Sequence, residues 1–107
     1  MGLVLEIYGL AKLLPSEDLY VLSNQMRRAA VSIPSNIAEG HERSTTRDFI
    51  KYLHIAKASK AELETQLLIC VHLQYLTQTQ IQPAQVLLTE IGKMLNALIR
   101  SLSAKLS

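Results

Sequence analysis

Apolar residues recur at three- and four-residue intervals in four segments of the chain, a spacing that predicts helices rather than strands. Leu3, Ile7, Leu10 and Leu14, with Val4 and Ala11, form the first stripe and predict a helix over residues 3–14. Pro15-Ser16 breaks the chain, and Ser16, Glu17 and Asp18 offer a cap and an acidic first turn to a second helix. That helix is predicted from about Glu17 to Glu39, with Leu19, Leu22, Met26, Ala29, Ile33 and Ile37 inward. His41-Glu42-Arg43 reads as a loop, after which Ser44, Thr45 or Thr46 caps a third helix running to about Leu76. Phe49, Leu53, Ala56 and Leu63 face one way in its first half. In the fourth segment Leu88, Ile91, Leu95, Leu98 and Leu102 make a stripe, widened by Leu87, Met94 and Ile99, and Ser103–Ser107 is expected to fray. Two starts compete for this helix. Thr77 and Gln80 have capping-box spacing, whereas Pro83 fits better as a first helical residue.

Two stretches depart from simple amphipathic order. Pro34 interrupts the second stripe, where it leaves the Ala30 carbonyl without its usual donor at a cost of about 3 kcal/mol. Ser32 and Ser35 flank it and can bond freed backbone groups, while Ile37 and Ala38 keep the register of Ile33. A helix that continues through Pro34 with a kink is therefore expected, against the competing reading of a turn at Pro34-Ser35-Asn36. The second departure is Leu67–Val71, which places apolar side chains all around the third helix. A helix apolar on every side is buried on every side. A bundle whose first helix is half as long as its third cannot cover that surface, so the pattern itself predicts an oligomer.

The polar positions carry their own pattern. Asn24, Arg28, Ser32, Ser35 and Glu39 fall on a narrow stripe of the second helix, opposite its apolar face. They are mostly small or hydrogen-bonding groups, unlike the Lys/Glu mixture of a bare surface, and are expected to meet another subunit. On the third helix Ser59, Glu62 and Gln66 form a polar line bordered by Ile55, Ile69 and Leu73, expected to make hydrogen bonds between helices. Lys60 and Glu64 tip toward the apolar side, where an i,i+4 pair would satisfy both.

At 107 residues the chain (1–107) is one domain with room for a single core. No apolar run approaches the roughly 18 residues of a membrane span, so no membrane partner is expected. MGLVLEIYGL carries Glu6 early and has neither a basic leader nor a small-residue cleavage site, so no secretory signal is predicted. The single cysteine, Cys70, excludes an internal disulfide and suits a reducing cytoplasm.

Candidate chemistry is sparse. Cys70 and His72 point roughly 200° apart on a helix and cannot share an ion. His41 and His54 belong to no metal-binding spacing, and there is no ExxH pair. Cys70 sits in LLICV and reads as a core thiol. No GxSxG and no phosphate-cradling glycine loop occurs, and Glu39 and Glu42 lie beside Arg43, where ion pairing explains them. No metal, cofactor or small-molecule substrate is expected, and no enzymatic activity. The one suggestive charge feature opens the third helix. Arg43, Arg47, Lys51 and His54 are four, four and three apart and align into a ridge, with Asp48 the only acid from 43 to 60. An ordinary solvated face competes with a phosphate-contacting one, and stacking platforms for single strands are few.

The stretch RRAAVSIPSNIAEG resembles the signature of a bacterial four-helix-bundle family known from proteins encoded in intervening sequences of large-subunit ribosomal RNA. The resemblance continues through Arg43, Phe49, Leu53, the run of Ser59, Glu62, Leu63 and Gln66, then Tyr75-Leu76, Met94-Leu95 and Leu98, covering roughly residues 10–102. It implies a bundle that assembles into a ring, a homopentamer, and it implies no settled biochemical role. Related proteins that assist retroelement reverse transcriptases bind nucleic acid.

The combined expectation is an all-α, antiparallel up-down four-helix bundle forming a ring-like homo-oligomer. Its leading function is that of a non-catalytic accessory factor for structured RNA or DNA, through Arg43, Arg47, Lys51 and His54. Its subunit interface is expected at Arg28, Ser32, Ser35, Glu39, Ile55, Ile69 and Leu73. The alternative is a protein-binding ring scaffold with no nucleic-acid role.

Overall fold

A computed structural model describes residues 2–15 and 19–106. Four helices, α1 (Gly2–Ala11), α2 (Tyr20–His41), α3 (Thr46–His72) and α4 (Gln78–Ala104), make up the fold, with no strand among the described residues. Each helix packs against two others: α1 and α3 both lie against α2 and α4. The result is an elongated bundle, 49 × 22 × 19 Å.

The helix ends show how local chemistry overrides the stripe. Helix α1 stops at Ala11 rather than residue 14, because the chain tightens into Leu13 N–H to Leu10 C=O and Leu14 N–H to Ala11 C=O bonds. Leu14 still packs on the core. The first turn expected of the second helix, at Ser16, Glu17 and Asp18, lies outside the described residues, and the α-helix runs from Tyr20 with Leu19 as a cap lacking a side-chain bond. Among the three candidate caps of α3, Thr45 does the work, its hydroxyl accepting the Asp48 N–H at 3.1 Å.

Helix α3 ends at His72, four residues earlier than its apolar pattern suggests. Gln74 adopts φ 64°, Gln74 N–H bonds Val71 C=O, and Tyr75 N–H bonds Cys70 C=O at 2.8 Å. These two bonds form a Schellman closure, with glutamine in the place glycine usually takes. Leu76 turns back and is buried. Helix α4 starts at Gln78 with the full Thr77–Gln80 capping box, so Pro83 lies inside the helix and not at its first position.

Helix α2 is continuous through Pro34. Ser32 and Ser35 do not bond freed backbone groups there. The Ser32 hydroxyl meets Ser59 Oγ on α3 at 2.8 Å and accepts from Asn36 Nδ2, while Ser35 is exposed.

Two apolar clusters fill the interior. The larger draws on all four helices, including Leu3, Ile7, Met26, Ile33, Leu63, Leu67, Ile81 and Leu88. The smaller joins Leu53 and Ala56, early in α3, to Leu95 and Leu102, late in α4, with Ile37 of α2 against them. No α1 residue belongs to it. At about 1.5 Å per residue, α1 covers about 15 Å beside the roughly 40 Å of α3, and it runs out before reaching this end.

Candidate binding surfaces

The basic ridge begins where α2 and α3 meet. Gly40, at the end of α2, comes so near α3 that a Cβ there would sit 2.8 Å from Tyr52 Cβ and 2.9 Å from Phe49 Cδ1. His41 meets Phe49 edge to face, with centroids 5.8 Å apart. This packed corner fixes Arg43. Its Nη2 donates to Glu39 Oε1 at 2.5 Å and to Tyr52 Oη at 2.7 Å, and its guanidinium lies 4.9 Å from the Tyr52 ring centroid. Arg43 is thus committed to a carboxylate and an aromatic ring, and of the four ridge residues Arg47, Lys51 and His54 stand exposed without an ion-pair partner among the described residues. Periodicity aligned four residues; the structure leaves three of them open.

The residues expected at a subunit interface fall along the α2–α3 face. Ser32 is half-buried against Ser59, and Arg28, Ser35 and Glu39 are exposed. Ile55, Ile69 and Leu73 are also exposed, Leu73 to 54%. In the isolated chain Leu67 and Cys70 are fully buried, whereas Leu68 is 46% and Ile69 40% exposed. The core takes Leu67 and Cys70, with Val71 partly buried against it, and Leu68 and Ile69 are left facing outward.

The polar line of α3 splits between two roles. Ser59 bonds across to α2, but Glu62 accepts from Gln66 Nε2 at 3.1 Å within its own helix. Gln66 is buried and its Oε1 has no partner. Lys60 and Glu64 form the expected pair at 3.0 Å, with the lysine stem lying over Gly92 of α4.

Cys70 is a buried thiol whose pKa is raised by desolvation, and its Sγ lies 3.8 Å from Met26 Sδ. Among the described residues no three His, Cys, Asp or Glu side chains gather to hold a metal. No described helix is long and apolar enough to cross a membrane.

Sequence reading did not find a cleft between α1 and α2, lined by Tyr8, Asn24, Arg27, Arg28, Val31 and Ser32 and about 330 Å³ in volume. Arg27 and Arg28 are adjacent in the signature stretch, but the cleft depends on Tyr8 of α1 reaching Arg27. No spacing within α2 signals that contact.

The family profile described as 23S rRNA-intervening sequence protein matches residues 1–97. The chain belongs to this family. Among solved structures it is similar to a protein of unknown function from the S23 ribosomal protein family of Bacteroides thetaiotaomicron. The two share 32% identity over 92% of each chain, with a TM-score of 0.84. No curated protein matches the chain. The family membership agrees with the resemblance carried by RRAAVSIPSNIAEG, and the four-helix arrangement agrees with the similar fold of the Bacteroides protein.

Proposed function

We propose that this 23S rRNA-intervening sequence protein is a non-catalytic, ring-forming antiparallel bundle, a homopentamer, that binds structured RNA or DNA as an accessory factor. The observation that supports this reading is the ridge of Arg47, Lys51 and His54, exposed and free of ion pairs at the start of α3. Successive members lie about one turn apart, about 4.5–6 Å along the helix, close to the separation of neighbouring phosphates on a strand. Repetition around a ring would convert a weak local field into avidity. Contacts of this kind follow backbone charge and shape, since aromatic platforms are few.

The test compares the wild-type protein with Arg47→Glu/Lys51→Glu, checked for unchanged assembly, on duplex DNA and structured RNA across a salt series. Each lost phosphate contact flattens the slope of log affinity against log salt by roughly 0.7–0.9. Equal binding by both proteins, or no binding by the wild type at low salt, overturns the reading.

A second reading, a ring scaffold for a protein partner in a reducing cytoplasm, is favoured if apolar residues of α3 stay exposed after assembly. Ile55, Leu68, Ile69 and Leu73 remain open in the single chain. If self-association covers them, sedimentation of Ile69→Glu will show a smaller species than the wild type. If wild-type protein is a monomer at micromolar concentration, both ring readings fail.

A further inference from the structure

We infer that the α1–α2 cleft is a binding site for a phosphomonoester, with the phosphate held by Arg27, Arg28 and Asn24 and the organic body against Tyr8 and Val31. The inference starts from how Arg27 is held. Ser23 Oγ donates to Tyr20 C=O at 3.2 Å and so offers its lone pairs to Arg27 Nη1 at 3.3 Å. The guanidinium also lies 5.6 Å from the Tyr8 ring centroid. A flexible side chain is thereby fixed in place, and four of its five N–H groups remain free.

Arg28 and Asn24 make no side-chain hydrogen bond or ion pair, and the two ion pairs among the described residues involve neither arginine. Among the described residues no acid lines the cleft. Two cations and an amide, spread over about one helical turn, therefore surround an open volume with their donors unsatisfied. A carboxylate fills one guanidinium fork. A phosphate presents three terminal oxygens and a charge approaching two, matching two arginines and an amide together.

The cleft is shallow and open to solvent, and Tyr8 and Val31 line it beside the arginines and Asn24. Apart from Ser32, the rest of its lining is Tyr8 and Val31, each 39% exposed. That wall suits the carbon portion of a phosphorylated small molecule. The site is separate from the α3 ridge and does not rest on the nucleic-acid reading. Arg28 and Ser32 are also residues expected at the subunit interface, so the site requires that end of the α2 face to stay open in the ring.

The experiment is a ¹H–¹⁵N titration at constant ionic strength with inorganic phosphate, phenyl phosphate and benzoate. Phenyl phosphate should saturate, shifting amides of Tyr8 and residues 24–32, and bind more tightly than inorganic phosphate or benzoate. Arg27→Gln/Arg28→Gln should weaken it at least ~10-fold. Arg28→Gln alone, a change between good helix formers on an exposed face, should weaken it too and guards against misfolding of the double variant. Arg47→Glu/Lys51→Glu should bind phenyl phosphate as the wild type does. Absence of saturation, equal binding of benzoate, or undiminished binding by Arg28→Gln overturns the assignment.

Discussion

Gly40 and Tyr52 approach so closely that a methyl group on Gly40 would lie 2.8 Å from the Tyr52 Cβ. The obstructing atom is anchored to the α3 backbone and cannot swing aside, and the Phe49 carbonyl lies 3.3 Å away. Gly92 presents the opposite case, since what crowds it is the far end of Lys60. Gly40→Ala should therefore cost about 1–3 kcal/mol through overpacking. Gly92→Ala should be neutral or stabilising by up to about 1 kcal/mol, as helix propensity gains and the lysine moves. Urea denaturation of the two variants checks the contrast, and equal midpoints would show that the α2–α3 corner yields more readily than its geometry suggests.

Gln74 holds a left-handed conformation that a side chain normally avoids. Gln74→Gly keeps both closing bonds while removing the clash of Cβ with the backbone, partly offset by the added entropy of glycine in the unfolded chain. A net gain of about 0.5–1 kcal/mol is expected. Thermal unfolding of the variant should show a higher midpoint, and a lower one would mean the glutamine side chain makes a compensating contact.

Cys70 is fully buried beside Met26. Burial both hides the thiol and disfavours its thiolate. Alkylation in native buffer should be slow and should accelerate across the unfolding transition. Cys70→Ser places a hydroxyl in the same apolar setting and should destabilise the fold by about 1–3 kcal/mol. Rapid labelling of folded protein contradicts the core assignment.

Glu39 restrains Arg43, the residue that periodicity assigns to the basic ridge. If the ridge contacts phosphates, Glu39→Gln releases Arg43 to join it. Affinity for structured RNA at low salt should then rise by up to about fivefold, the scale of an exposed ion pair of up to 1 kcal/mol. Unchanged affinity, with binding still sensitive to Arg47→Glu/Lys51→Glu, would mean that Tyr52 alone suffices to hold Arg43 away.

The four helices and most of their core residues were legible because burial imposes a period. Met26, Ile33, Leu53, Leu63, Leu88 and Leu95 sit where their spacing put them. The errors cluster where a different force decides. Leu73 and Leu76 extend the stripe of α3, yet the chain reverses between them through a residue with no ordinary preference for that turn. Pro83 competes with Thr77 as a helix start because it lacks a donor, but the bond it removes would have gone to the carbonyl of Thr79, an exposed residue of the first turn, so the helix accommodates it there. Of the candidate site, exposure of Arg47 and Lys51 followed from the apolar stripe. The capture of Arg43 by Tyr52 and the Tyr8–Arg27 contact are tertiary, and one-dimensional spacing contains neither.

The division of the core into two clusters makes the bundle unequal along its length. Toward one end, four helices share a continuous apolar interior. At the other, Leu53, Ala56, Leu95 and Leu102 are enclosed chiefly by α3 and α4, with Ile37 closing one side. Local opening needs less apolar surface to be exposed there, so amide protons near Leu53 and Leu102 should exchange with solvent sooner than those near Leu67 and Leu88. On this reading the chain should unravel from that end first, leaving a four-helix remnant around Ile7, Met26 and Leu67 as the last part of the molecule to yield.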